Sequence, residues 1–248
     1  MESKLNVVLI TRTSEPEILV TIAAKLCYSA SSIKEILEQQ ETEKAQRFID
    51  KLVSMGHESP LEHAVYSFGI EGISRACSHQ FVRHRIASYS QQSQRYVTKH
   101  SSKHGGIFDY IIPELFRKVG KEQWFKQKME IIQRWYDEAD EFFEEKGYGG
   151  EKANEDARYL LPNAAETKII VTMNARSLIN FFRKRMCKRA QGEIRNMAKE
   201  MYKLVYPTAP SIFKYAGPDC IVKKVCYEGK MSCGLANEVK KEFERLRL

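Results

Sequence analysis

The sequence predicts an α+β fold: one domain over residues 1–248, with a mainly antiparallel or mixed sheet flanked by long helices. Three observations predict it. Short segments alternate apolar and polar residues with the period of a strand, as at Tyr66, Phe68 and Ile70 and again at Ile169, Val171 and Met173. Longer segments carry apolar residues at helical spacing, most clearly over 121–146. Neither an internal repeat nor a linker rich enough to separate domains interrupts the chain.

The elements follow in order. Residues 4–11 read as a strand; Leu5 to Ile10, flanked by Lys4 and Arg12, is too short and too flanked by charge for a secretion signal. A helix starts near Pro16 with Ile18, Ile22 and Leu26 on one face. Another runs from about Glu41 to Met55 on Ala45, Phe48, Ile49, Leu52 and Val53, and Gly56 stops it. The strand through Tyr66 ends near Gly72, and residues 74–84 form a helix. The composition of 101–106 is that of a flexible loop. The helix over 121–146 carries Trp124, Met129, Ile131, Ile132, Trp135, Tyr136, Ala139, Phe142 and Phe143, with Gly147 as its cap. A short helix at 151–161 ends before Pro162, and the strand through Val171 follows. Helices at about 176–188 and 190–205 come next, the second burying Ile194, Met197, Ala198, Met201 and Val205. The tail, 207–248, is weakly patterned and ends in a charged helix.

Bulk properties narrow the function. A formal charge of +8 favours anionic partners such as nucleotides or nucleic acid. No apolar run approaches the about 20 residues that span a bilayer, so a cytoplasmic protein without a membrane partner is expected. Six cysteines without a C-x-x-C pair suit reduced thiols. Cys220, Cys226 and Cys233 crowd the tail but lack zinc-site spacing, so no metal is expected there.

The chemistry concentrates in Gln80 to Tyr96. Arg83, Arg85 and Arg95 with His84 surround a run of hydroxyls and amides that holds no carboxylate. Guanidinium forks match phosphate oxygens, and glutamines can read the edge of a base. Phe81, Val82, Ile86, Ala87 and Tyr89 interleave with these cations and draw them toward the core, where unpaired charge is costly. A bound anion would resolve that cost, and so would internal salt bridges. A solvated basic face is the plainer alternative.

Arg83-His84-Arg85, seven residues, then Ser93 resembles the signature of the flavin-dependent thymidylate synthases. Gly56 to His63 resembles a second segment of that family, of the form H-E-[ST]-P-x-E-H. Ala157 to Pro162, Asn174 to Phe181 and Arg189 to Arg195 resemble three more, in family order. The resemblance implies conversion of dUMP to dTMP, with methylenetetrahydrofolate as carbon donor, FAD as hydride carrier and NADPH as reductant. It implies a homotetramer with sites at subunit interfaces, and no protein nucleophile.

By that resemblance Arg185 is the catalytic cation beside the uracil ring. Read alone, it is one of several solvated cations in Arg183 to Arg189. The family assigns dUMP to Gln80, Arg83, Gln91, Gln92, Ser93, Gln94, Arg95, Arg158 and Arg185. It assigns FAD to Ser59, Glu62, Arg83, His84, Arg85, Gln91, Asn174, Arg176, Asn180 and Arg189, and His57 is the candidate on the folate side. Arg189 stands where relatives often carry histidine, Gly192 where a bulky aromatic is common, and Gln91 where some carry a carboxylate. Ser93 invites a nucleophile reading, but that requires an adjacent base and an orienting partner. Two other functions compete. A nucleic-acid binder would use the basic segments with Tyr89 and Tyr96 as stacking platforms. A regulator would keep the nucleotide pocket without turnover.

Overall fold

The computed structural model describes residues 1–39 and 42–247. Its strands are β1 (Asn6–Arg12), β2 (Val65–Ser74), β3 (Ala87–Gln91) and β4 (Glu166–Asn174), in one antiparallel sheet of order β1-β2-β4-β3. Its helices are α1 (Pro16–Leu26), α2 (Ile33–Glu38), α3 (Thr42–Ser54), α4 (Arg75–Phe81), α5 (Glu114–Lys118), α6 (Glu122–Glu145), α7 (Glu151–Ala157), α8 (Ala175–Arg185), α9 (Gly192–Val205), α10 (Pro210–Phe213), α11 (Asp219–Val222) and α12 (Ala236–Arg245). The class is the α+β expected. The expected helix start at Glu41 lies outside the described residues. Among the described residues no helix is long and apolar enough to cross a membrane.

Two strands feed directly into helices. β2 ends at Ser74, whose hydroxyl accepts from Cys77 N at 3.0 Å and so caps α4. β4 ends at Asn174, whose Oδ1 accepts from Ser177 N at 2.8 Å and caps α8. Such caps satisfy otherwise orphaned amides and contribute about 1 kcal/mol each. They fix where each helix starts, and hence where the arginines after α4 and at the end of α8 emerge.

Contacts group the chain into two compact units. The first comprises Met1–Asn6, Ile70–Arg83 and Tyr89–Ile170. Its core holds Phe108, Tyr110, Ile112, Phe125, Met129 and Ala165. α6 packs on α7. Within α6 a buried amide replaces an apolar residue: Gln133 Oε1 accepts from Phe108 N at 2.6 Å, and its Nε2 donates to Lys99 O at 3.0 Å. Gly72 is required here, because at φ +69° a Cβ would come 1.8 Å from Lys4 O.

The second unit comprises Val7–Gly69, His84–Ser88 and Val171–Leu248. α1 packs on α3, and α8 on α9. Aromatic edges fill the centre: Phe182 meets Tyr202 with centroids 5.5 Å apart, and Tyr66 meets Phe213 at 5.3 Å. Burial pushes the Tyr202 phenol up to about 12.

Three elements differ from expectation. α1 buries Val20 and Ala24 with Glu17 and Thr21, and Leu26 of the expected stripe is exposed. Glu17 faces inward because its Oε1 accepts from Ser211 N at 2.7 Å, a partner that periodicity cannot reveal. α6 buries Phe125, Met129, Gln133, Tyr136 and Asp140, while Trp124, Trp135 and Phe142 are exposed. The helix expected over 74–84 ends at Phe81, so Arg83 and His84 lie in the turn beyond it.

Candidate active site

The first unit holds Gln80, Arg83, Gln91, Gln92, Ser93, Gln94, Arg95 and Arg158. Gln80 rides the last turn of α4, and Arg83 is exposed just past it. β3 is tied to α4 by its side chains. Tyr89 Oη donates to Phe81 O at 2.9 Å, and Gln91 Nε2 donates to Ser78 Oγ at 2.9 Å and Thr167 Oγ1 at 3.1 Å. Gln92 N donates to Lys168 O at 2.9 Å. After β3 the chain turns on Ser93, whose Oγ accepts from Arg95 N at 3.1 Å. Among the described residues no histidine bonds that hydroxyl, which leaves the nucleophile reading without a base. Gln94 Nε2 is buried without a hydrogen-bond partner.

The cations of this unit divide. Arg95 is paired with Glu151 and, at 3.0 Å, with Glu155, both on α7, and it lies over the Tyr96 ring. Internal salt bridges therefore account for Arg95. Arg83 has no ion-pair partner among the described residues. Arg158 spends its Nε on Glu155 O at 3.0 Å. A residue outside the sequence motifs is within electrostatic reach of it: Arg75, the first residue of α4, is half-buried, and burial, with a smaller contribution from the Arg158 charge, holds its guanidinium below the usual arginine range. Two partly buried cations within electrostatic reach of each other favour a bound anion. The signal in the sequence was only an arginine at the start of a helix, and its neighbour is far along the chain.

The second unit holds His57, Ser59, Glu62, His84, Arg85, Asn174, Arg176, Asn180, Arg185 and Arg189. Ser59 to His63 form one 3-10 turn, with His57 exposed ahead of it and near the Tyr28 ring. That turn and the residue before it deliver two carboxylates to Arg176: Glu62 at 2.6 Å and Glu58 at 3.5 Å. A cavity of about 310 Å³ opens here, lined by Glu62, Arg85, Asn174, Arg176, Asn180 and Arg183 among others. Arg85 has no ion-pair partner among the described residues. Arg189 is exposed and paired with Glu228 of the tail.

The geometry around Arg185 is the most specific in either unit. Its Nε donates to His84 Nε2 at 2.8 Å. An imidazole nitrogen that accepts is unprotonated, and burial with the Arg185 and Lys184 charges pulls the His84 pKa down to about 4. The ring is buried, with its edge against Phe181 at 4.9 Å. His84 was expected among the flavin contacts; in the structure its ring holds Arg185. Among the described residues no carboxylate pairs with Arg185.

Residues 8–211 match the family model Thy1, described as thymidylate synthase complementing protein. The chain belongs to the Thy1 family. Curated relatives are similar over most of its length. The flavin-dependent thymidylate synthase of Clostridium tetani (strain Massachusetts / E88) is 50% identical over 248 residues, covering 96% of each chain. That of Geobacter sulfurreducens is 48% identical over 245 residues, covering 98% of this chain and 100% of the relative. Both matches extend past the end of the Thy1 model. The crystal structure of a UMP/dUMP methylase, PolB from Streptomyces cacaoi, superposes with a TM-score of 0.67 at 20% identity, covering 87% of this chain and 96% of that one, and so shares the fold. This Thy1 member is thus an enzyme of the flavin-dependent thymidylate synthase family.

Proposed function

We propose that the chain converts dUMP to dTMP by reductive methylation, with methylenetetrahydrofolate as carbon donor, FAD as hydride carrier and NADPH as reductant. One observation carries the catalytic assignment: Arg185 is held through Nε by a neutral histidine and, among the described residues, has no carboxylate partner. A guanidinium at the N3/O4 edge of uracil stabilises the enolate-like ring and raises electron density at C5. His84, neutral at working pH, orients that fork without cancelling its charge. The names of the relatives, and a methylase of the same fold bound with 5-Br dUMP, support the substrate.

Arg75 and Arg158 suit the nucleotide phosphate, since each is partly buried and their mutual repulsion falls when a dianion binds. Arg83 and the Ser93 turn supply further donors. The cavity at Asn174 and Asn180 fits part of a flavin. Arg85, without an ion-pair partner among the described residues, would offer its charge to a flavin pyrophosphate, and the two asparagines would offer amides to the heterocycle. Bound there, the flavin would supply hydride. Glu62 and Glu58 hold Arg176 in the wall of that cavity, and His57 is the surface candidate for folate. A homotetramer accords with the exposure of Val8 and Ile10 on β1. We read the whole of 1–248 as one functional domain.

The test is the visible spectrum of the purified protein with and without NADPH, followed by tritium release from C5-labelled dUMP. A yellow protein that bleaches with NADPH and releases tritium fits the proposal. A colourless protein whose affinity for nucleic acid falls steeply with salt would replace it with the binding reading.

A further inference from the structure

Three of the six cysteines line one cavity, and a fourth lies within electrostatic reach of it. Cys27 is exposed at the end of α1 and Cys77 is buried in α4. Cys187, just past α8, joins Cys220 and Cys226 of the tail in the wall of one cavity of about 270 Å³, together with Arg183, Lys184 and Glu228. Cys226 Sγ meets Ser232 Oγ at 3.4 Å, next to Cys233. Cys187, Cys226 and Cys233 all lie within electrostatic reach of the Cys220 sulfur.

The surrounding chain lacks the usual reason to hold a shape. Residues 223–238 are all exposed, including Val225, Tyr227, Met231 and Leu235. Ordering such a segment costs about 1–2 kcal/mol per residue in backbone entropy, and no buried apolar surface offsets it. Segments without a core depend on covalent or metal staples. Yet this one makes a 3-10 turn at Gly229–Met231 and turns again at Gly234, φ +71°, directly after Cys233.

We propose that Cys187, Cys220, Cys226 and Cys233 bind one thiophilic divalent cation, Zn²⁺, as a tetrathiolate that fastens residues 223–238 to the end of α8. Cys₄ is an established donor set for structural zinc, and a loop with no core is where such a site adds most to folding. Binding converts four thiols and Zn²⁺ into a complex of charge 2−, releasing four protons. Arg183 and Lys184 in the cavity wall offset that charge. Among the described residues no three metal-ligand side chains are grouped tightly enough to hold an ion as they stand. The proposal therefore requires the tail thiols to draw together on binding, and residues 223–238, all exposed, bury no core that this would disrupt. The tail spacing alone argued against a metal because Cys187, the fourth donor, is distant in sequence. The site is independent of the proposed methyl transfer.

The test uses the full-length chain, reduced, equilibrated with zinc chloride and desalted. Elemental analysis is expected to find about one zinc per chain in the wild type and in Cys27→Ala, with at least about a five-fold loss in Cys226→Ala and Cys233→Ala. Both tail positions are exposed, so circular dichroism should show intact folds. Co²⁺ in place of zinc should give the intense visible bands of a tetrahedral thiolate site, lost in Cys233→Ala. Chelator treatment should speed trypsin cleavage at Lys223, Lys224 and Lys230. Less than about a tenth of a zinc per chain in the reduced wild type, or undiminished zinc in Cys226→Ala, would overturn the proposal. So would a metal-free protein in which mass spectrometry finds two of these cysteines as a disulfide.

Discussion

The two units build their cationic sites in the same way and leave them in different electrostatic states. In each, a strand runs into a helix through a polar cap: β2, Ser74 and α4 in the first, β4, Asn174 and α8 in the second. Arginines cluster around each helix. In the first unit the available charge is the exposed Arg83 and two partly buried cations within electrostatic reach of each other, Arg75 and Arg158, while Arg95 is neutralised by α7. In the second unit the available charge is Arg185, oriented by a neutral imidazole, with Arg85 unpaired beside the cavity and Arg176 and Arg189 neutralised. Two partly buried cations suit a dianionic phosphate. A single cation held by an uncharged acceptor suits a ring whose negative charge develops only during reaction. The lesson is that counting arginines does not identify a site; what matters is which ones lack a carboxylate.

Replacing the oriented cation should give the largest effect. Arg185→Ala is expected to lower dTMP formation by about 10²–10³-fold or more, with unchanged circular dichroism; near-normal turnover would remove it from the chemistry. Next come the two partly buried cations. Arg158→Ala and Arg75→Ala should each raise the KM for dUMP by roughly 10–100-fold, as the loss of a charge-assisted hydrogen bond of about 1.5–3 kcal/mol implies, with little change in kcat. An unaltered KM in both would break the phosphate assignment.

The imidazole provides a test with a sign. His84 has a folded pKa of about 4 against 6.5 for the free side chain. The unfolded chain therefore takes up this proton first as pH falls. The contribution to stability is whole above pH 6.5 and is lost as pH drops from 6.5 toward 4, up to roughly 3 kcal/mol. Urea unfolding across that range should show the slope in the wild type and lose most of it in His84→Leu. The same variant should slow dTMP formation by about ten-fold by freeing Arg185. The smallest effect belongs to the neutralised arginine. Glu155→Gln should cost no more than about 1 kcal/mol, because its pair with Arg95 is partly exposed.

Much of this was legible in the chain. Strict alternation at Tyr66, Phe68 and Ile70 marked β2, and Ile194, Met197, Ala198 and Met201 marked the buried stripe of α9. Two of the three exceptions share a cause: a polar group buried against a distant partner. Glu17 of α1 reaches Ser211, and Gln133 of α6 reaches Phe108 and Lys99, so both helices turn faces that apolar periodicity does not mark. At the site, the motifs supplied the candidates and left open whether anions or salt bridges satisfy their arginines. The carboxylates that silence Arg95 and Arg189 come from Glu151, Glu155 and Glu228, far from either motif. Arg75 lay outside every motif quoted.

The sequence by itself determined the class of fold, the family and the list of candidate residues, because these depend on local period and on short motifs whose spacing survives without coordinates. Tertiary structure decided which guanidinium groups are free, that His84 is a neutral acceptor for Arg185, and that Cys187 stands with the cysteines of the tail. Those properties depend on distances between atoms a hundred or more residues apart in some cases, and both charge pairing and desolvation are set by distance in space, which order along the chain does not encode.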